Sequence, residues 1–164
     1  NTRSDKWGGS AEKRQLFGLE VARAVRAVVP KSIAVGARIA GFDWIEGGIT
    51  VDDAVDFTKK LKSAGMDYAC VSSGGIDPTA KITVGPGYQV PFAREIKKQT
   101  GIVTRAVGMI VTPEQAEEIL QAGDADQIAL ARAILDNPRW GWHAADVLGV
   151  DLPRPPQYLS LIHI

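Results

Sequence analysis

The sequence predicts an α/β fold: the C-terminal half of a (β/α)8 TIM barrel, four parallel strands with flanking helices. Three observations lead there. Short apolar runs alternate with amphipathic helical stretches, so that strand, loop and helix recur in four units, the grammar of a parallel sheet. Right-handed crossovers leave such a run two outcomes, an open sheet or half a barrel. A doubly wound sheet would carry G-x-G-x-x-G after its first strand; that motif is missing, and the glycines follow the later strands instead. Finally, the chain opens on a helix with no strand ahead of it, whereas a whole barrel takes roughly 250 residues.

In chain order, Leu16, Leu19, Val21, Ala24, Val25 and Val28 recur at mostly helical spacing with charges between them, predicting a helix over 11–28. Ser10, ahead of Glu12 and Lys13, is its N-cap, and Pro30 ends it. Residues 33–39, Ile-Ala-Val-Gly-Ala-Arg-Ile, predict a strand buried on both faces, with Arg38 near its end as the exception. Thr50-Val51-Asp52-Asp53 caps a helix through about Ala64, closed by Gly65 as a C′ glycine. Tyr68–Val71 is the second strand and breaks into Ser72-Ser73-Gly74-Gly75. A loop through Gly85-Pro86-Gly87 leads to a helix from Pro91 to about Gln99. Val103–Val107 is the third strand, ending at Gly108. Thr112-Pro113-Glu114-Gln115 caps the next helix with proline at its first position, and that helix stops near Gly123. Gln127–Ala131 is the fourth strand, followed at once by Arg132, and a last helix spans about Trp140 to Leu148.

Composition narrows the function classes. The 164 residues suffice for one domain with a core of its own. Lys plus Arg equals Asp plus Glu at 19 each, for a formal net charge of zero. A neutral chain offers no electrostatic hold on nucleic acid or on an anionic membrane surface. No apolar run approaches the roughly 18 residues of a membrane span. One cysteine, Cys70, excludes an internal disulfide framework and any Cys-rich zinc or iron–sulfur site, so no metal is expected; it suits a reducing cytoplasm. The opening Asn-Thr-Arg-Ser-Asp carries neither an initiator Met nor a signal peptide, which predicts an internal start.

Barrel enzymes build their sites at the C-terminal ends of the strands, often with a phosphate held after the seventh and eighth. Gly108 would let a phosphate approach main-chain N–H groups at a following helix N-terminus. Arg132 adds a charge-assisted contact to the same group. Ser72, Ser73 and Gly74 supply hydroxyl and backbone donors on a neighbouring strand. Arg38 sets a fixed cation at another strand end, suited to negative charge on a bound cofactor. Each has a plainer reading: Gly74 and Gly108 as turn glycines, Arg132 as a helix-surface arginine. Arg38 resists one, because a buried cation needs a partner. Cys70 reads as a small core residue, His143 as structural, Trp140 and Trp142 as packing a helix on the barrel. The pairs Asp52-Asp53 and Glu117-Glu118 read as solvated helix faces.

The segments together resemble a known family. Residues 1–14, Asn-Thr-Arg-Ser-Asp-Lys-Trp-Gly-Gly-Ser-Ala-Glu-Lys-Arg, are similar to the N-x-R-x-D-x-(Y/W)-G-G-S-x-E-N-R signature of the old yellow enzyme family, the FMN-dependent ene-reductases. So are Val71-Ser-Ser-Gly-Gly75, Pro86-Gly-Tyr-Gln-Val-Pro-Phe-Ala93, Ala106-Val-Gly-Met-Ile110, Ala125-Asp126 and Ala131-Arg-Ala-Ile-Leu-Asp-Asn-Pro138. Pro155-Pro-Gln-Tyr158 resembles the chain end of the short bacterial thermophilic-like NADPH dehydrogenases, so the likeness runs over residues 1–158.

The resemblance implies FMN as cofactor, NAD(P)H as hydride donor, and hydride delivery through the flavin to an activated alkene such as an enone. It implies that Arg38 lies beside the flavin N1–C2=O edge, that Ala131 and Arg132 bind the FMN phosphate, and that Gly108 and Ser72 add phosphate-side contacts. The family often has glycine at Ala131; a backbone N–H contact survives that change. The family's catalytic groups belong to its first four strands: the substrate-binding His pair, the proton-donating Tyr, and the Gln and Thr/Cys contacts to the flavin ring. None has a counterpart here, so the catalytic residues are expected in an N-terminal half. Leu159-Ser-Leu-Ile-His-Ile164 fits no family tail and is expected to be non-native, leaving 1–158 as a partial barrel. The parent is expected to be a cytoplasmic homo-oligomer. Two other readings stay open: a non-catalytic half-barrel that dimerises and binds FMN or phosphate weakly, and another phosphate-binding barrel.

Overall fold

The computed structural model describes residues 1–158, so the expected non-native segment 159–164 lies outside the described residues. The chain runs α1 (Ala11–Val28), β1 (Gly36–Ala40), α2 (Val51–Ser63), β2 (Tyr68–Ser72), α3 (Val90–Thr100), β3 (Val103–Ala106), α4 (Pro113–Gln121), β4 (Gln127–Ile128), α5 (Arg132–Asp136) and α6 (Trp140–Leu148). The strands form one four-stranded sheet in the order β1-β2-β3-β4, every pairing parallel. Consecutive strands are neighbours in space, as one arc of a (β/α)8 barrel requires.

Local chemistry sets the helix ends. Ser10 accepts from the Lys13 N–H to start α1. At α2, Thr50 accepts from the Asp53 N–H while the Asp53 carboxylate accepts from the Thr50 N–H and hydroxyl, a complete capping box. That hydroxyl and N–H hold the Asp53 carboxyl below the usual carboxylate range, so Asp53 is a structural cap and not merely part of a solvated face. Thr112 caps α4 with Pro113 behind it, and Gly101 closes α3 in the left-handed region at φ 58°.

The core lies between the sheet and its helices. Ile39, Ala69, Val71 and Ala106 point out of the sheet into Val55, Leu61, Ala93 and Ile96, and Val71 and Ile96 are fully buried. Thr104 and Thr58 are buried there too, but neither is orphaned: Thr104 N–H donates to Asp126 and Thr58 Oγ1 donates to the Ala54 carbonyl.

Several expectations need correction. The first strand starts at Gly36 rather than Ile33, because its first rung is Gly36 opposite Tyr68, where β2 begins. It is also not buried on both faces: only the helix-facing residue Ile39 is, and Arg38 is exposed on the concave side. Four strands do not close, so the face that would line a barrel is open, and Cys70 lies half-buried on it rather than in the core. The fourth strand keeps only Gln127 and Ile128, since it pairs on one side alone; past it Ala129 N–H still reaches the Ala106 carbonyl, and the chain then turns into α5, an element the sequence did not suggest.

Candidate functional site

Parallel register delivers Ser72, Gly108, Ala131 and Arg132 to one edge of the sheet. Ala40 pairs with Ser72, and Val71 pairs with Ala106, so Ser72 and Gly108 both lie at the C-terminal ends of their strands. Ala106 pairs with Ile128, which brings Ala131 and Arg132 to the same edge three and four residues on. Arg38 is one strand over, and its Nε donates to Ser72 Oγ at 3.3 Å. Ser72 Oγ in turn donates to the Ile39 carbonyl at 3.3 Å, which fixes the hydroxyl between β1 and β2.

Gly108 is required where it stands. Its φ is +109°, and a Cβ there would meet the Gln89 side chain at 3.0 Å. The next residue, Met109, is also left-handed at φ 50°, so the chain makes a tight strained turn after β3. Gln115 braces that turn: its amide donates to the Met109 carbonyl at 3.0 Å and accepts from the Val111 N–H at 2.9 Å. Ala131, exposed at φ −120° and ψ −84°, begins α5, and Arg132 is exposed beside it.

A polar network behind Gly108 went unremarked in the sequence. Gln89 is buried, and its amide donates to Ser73 Oγ at 3.0 Å and Tyr88 Oη at 2.9 Å. Trp44 Nε1 donates to the same Ser73 hydroxyl at 2.9 Å, from a backbone at φ 63°. Trp44 also packs edge-on against Phe42 and Phe92. The Pro86-Gly-Tyr-Gln run was the available signal, because a buried amide beside the strand ends has to be paired. Trp140 packs on the core and donates Nε1 to the Val111 carbonyl at 2.8 Å, the packing role expected of it. His143 is exposed and lines a hollow between α4 and α6.

The donor set has one sign. Arg38 and Arg132 form no ion pair among the described residues, and Arg38 donates to the Ser72 hydroxyl. Such a set fits a dianionic phosphate and the electron-rich N1–C2=O edge of an isoalloxazine; it would repel a cation. Another hollow, about 490 Å³, lies at the opposite end of the strands, lined by Lys97, Gly101, Val103 and Asp126. Two ion pairs line it, Arg94 with Asp124 at 2.6 Å and Lys97 with Asp126 at 2.9 Å. Burial pushes the Asp126 carboxyl up, but Lys97 and the Thr104 N–H outweigh it and the net shift is downward.

A parallel four-stranded arc with the Gly108 turn and Arg132 just past its strand C-termini has the architecture of a (β/α)8 barrel, a fold that builds its sites at that face. The profile of the NADH:flavin oxidoreductase / NADH oxidase family matches residues 1–148, and the chain belongs to that oxidoreductase family. It is 47% identical over 158 residues to an NADPH dehydrogenase of Geobacillus thermodenitrificans (strain NG80-2), covering 96% of this chain and 46% of the relative. It therefore spans about half the length of the curated relatives it matches. Among solved structures it is similar to 2-naphthoyl-CoA reductase in complex with 2-naphthoyl-CoA, with a TM-score of 0.80, 27% identity, and coverage of 92% of this chain and 23% of that one. TcOYE with pHBA shares the fold at a TM-score of 0.68 and 18% identity, covering 96% of this chain and 42% of that one. The resemblance to the old yellow enzyme family therefore holds, and with it FMN as the family's cofactor and NADPH as the electron donor of the curated relatives.

Proposed function

We propose that this chain supplies the phosphate side and the N1 edge of the flavin site in an FMN-dependent NAD(P)H oxidoreductase, as the last four strand–helix units of its barrel. The observation that carries the reading is that Ser72, Gly108, Ala131 and Arg132 lie at the C-terminal edge of one sheet, with Arg38 reaching Ser72 from mid-strand. Bound FMN would supply the redox chemistry, taking hydride from NAD(P)H and passing it to an activated alkene such as an enone. Arg132 would pair with the phosphate, and the Ala131 N–H and the turn at Gly108 would donate to it. Ser72 would hold the Arg38 guanidinium toward the N1–C2=O edge, where a cation favours negative charge. The groups that bind the alkene and donate its proton would come from the other half of the barrel. The single free cysteine accords with a cytoplasmic enzyme, and the parent would be a homo-oligomer. Among the described residues no helix is long and apolar enough to cross a membrane.

Two substitutions in the complete flavoprotein separate the roles. Arg132→Ala should lose flavin on dialysis, by on the order of tenfold in affinity or more, for want of the phosphate's cation. Unchanged flavin content would remove the phosphate assignment. Arg38→Ala should lower the flavin reduction potential more than it weakens binding; an unshifted potential would make Arg38 a structural residue.

A further inference from the structure

We propose that Trp44 is a positioning residue for the phosphate end of the flavin site, acting on the Gly108 turn through Ser73 and Gln89. The proposal rests on the phosphate role given above to Gly108 and Arg132. Trp44 stands out first by its backbone. At φ 63° it is left-handed, a conformation that a bulky residue takes only when its surroundings impose it. The loop between β1 and α2 imposes it here. Asp43 is buried, its N–H donates to the Ile49 carbonyl at 3.0 Å, and its carboxylate accepts from the Ile49 N–H at 2.8 Å. That closure, with Phe42 and Phe92 packed edge-on against the indole, aims Nε1 at Ser73.

Ser73 is where the two sides meet. Its hydroxyl oxygen has two lone pairs, and both are taken, by Trp44 Nε1–H at 2.9 Å and by the Gln89 amide at 3.0 Å. Gln89 is buried and also donates to Tyr88 Oη at 2.9 Å, which fixes its side chain. It is fixed against Gly108: Gln89 Cβ and Cγ each lie 3.0 Å from the place a Cβ on Gly108 would occupy. The Gly87 N–H, two residues ahead of Gln89, donates to the Gly108 carbonyl at 2.9 Å. Without the indole N–H, one Ser73 lone pair is left unpaired in a buried place, so the hydroxyl turns toward another partner and Gln89 loses its fixed acceptor. The slack passes to the left-handed turn at Gly108 and Met109. Every link in this relay lies among the described residues.

Riboflavin has the ring and ribityl chain of FMN but no phosphate, so it isolates the role. Apoprotein prepared from the complete flavoprotein would be titrated with FMN and with riboflavin by fluorescence quenching. The set is wild type, Trp44→Phe, Ser73→Ala, the double variant and Arg132→Ala. Trp44→Phe keeps an aromatic ring and removes the N–H. It and Ser73→Ala should each weaken FMN about three- to tenfold and leave riboflavin unchanged. The double variant should bind FMN no more weakly than Ser73→Ala, because both changes break one link. Equal losses of FMN and riboflavin, as a merely structural role would give, additive losses in the double variant, or unchanged FMN affinity would each overturn the proposal. Should Trp44→Phe not fold, Ser73→Ala decides on the same comparison of FMN with riboflavin. Arg132→Ala separates the two failures: an FMN loss there with none in Trp44→Phe overturns the relay alone, whereas no loss in either overturns the phosphate reading along with it.

Discussion

Gly108 and Arg38 show how a single residue carries the candidate site. At Gly108 the backbone is left-handed and pressed against Gln89, so alanine meets both strain and a contact at 3.0 Å. Gly108→Ala should cost about 1–3 kcal/mol of stability and also weaken flavin retention in the complete protein; urea unfolding and dialysis read the two effects separately. The glycine itself was legible in the sequence, but Gln89, which makes it necessary, lies 19 positions earlier and meets it only in the fold. Arg38 was legible as a cation out of place in an apolar strand. Its exposure was not, because that depends on strands this chain does not contribute. Titration also belongs at this scale. Hydrogen bonds from Arg3 and the Trp7 N–H lower the Asp5 carboxyl to about 2, and Asp53, Asp56 and Asp126 are lowered as well. A carboxylate whose folded pKa lies below its unfolded value of about 3.9 stabilises fully above that value and loses the contribution as pH falls through the folded one. Urea midpoints should therefore hold from neutrality to about pH 5 and fall between about pH 4 and 2, less steeply in Asp126→Asn. A flat profile down to pH 2 would count against these assignments.

Elements were the most legible level. α1, α2 and α4 each begin at a residue whose side chain closes the first turn, and α3 has a proline there; such local features need no tertiary partner, and only α6 among these helices lacks both. Thr50→Ala opens the α2 capping box and should cost about 1 kcal/mol, visible as a lower denaturant midpoint at unchanged slope; an unmoved midpoint would mean the tertiary packing of α2 holds its first turn unaided. Strands were legible in existence but not in extent. The first lost its three leading residues and the fourth its last three, since a strand extends only as far as a neighbour pairs with it. The five-residue α5 had no periodic signal of its own and went unread between the fourth strand and the last helix.

The described residues form an arc whose two flanking strands have no further strand beside them and whose inner face is open. Phe17, Val21 and Val28 on α1 and Leu135 on α5 are exposed, Val28 by 80% and Leu135 by 79%. Unpaired strand edges and uncovered apolar side chains of this kind invite association. The 164-residue chain should therefore bind a hydrophobic dye such as ANS strongly and hold FMN more weakly than the complete flavoprotein. Dye fluorescence at the background of a closed domain, or FMN affinity equal to that of the complete protein, would mean the arc is self-sufficient. The sequence by itself determined the order of elements, the caps and the positions at the strand ends, because hydrophobic period and capping chemistry act within a few residues. The tertiary structure alone decided which face of the sheet is buried, how far β1 and β4 extend, and that Trp44 and Gln89 meet at Ser73. Those outcomes depend on which segments, distant along the chain, come to lie against one another.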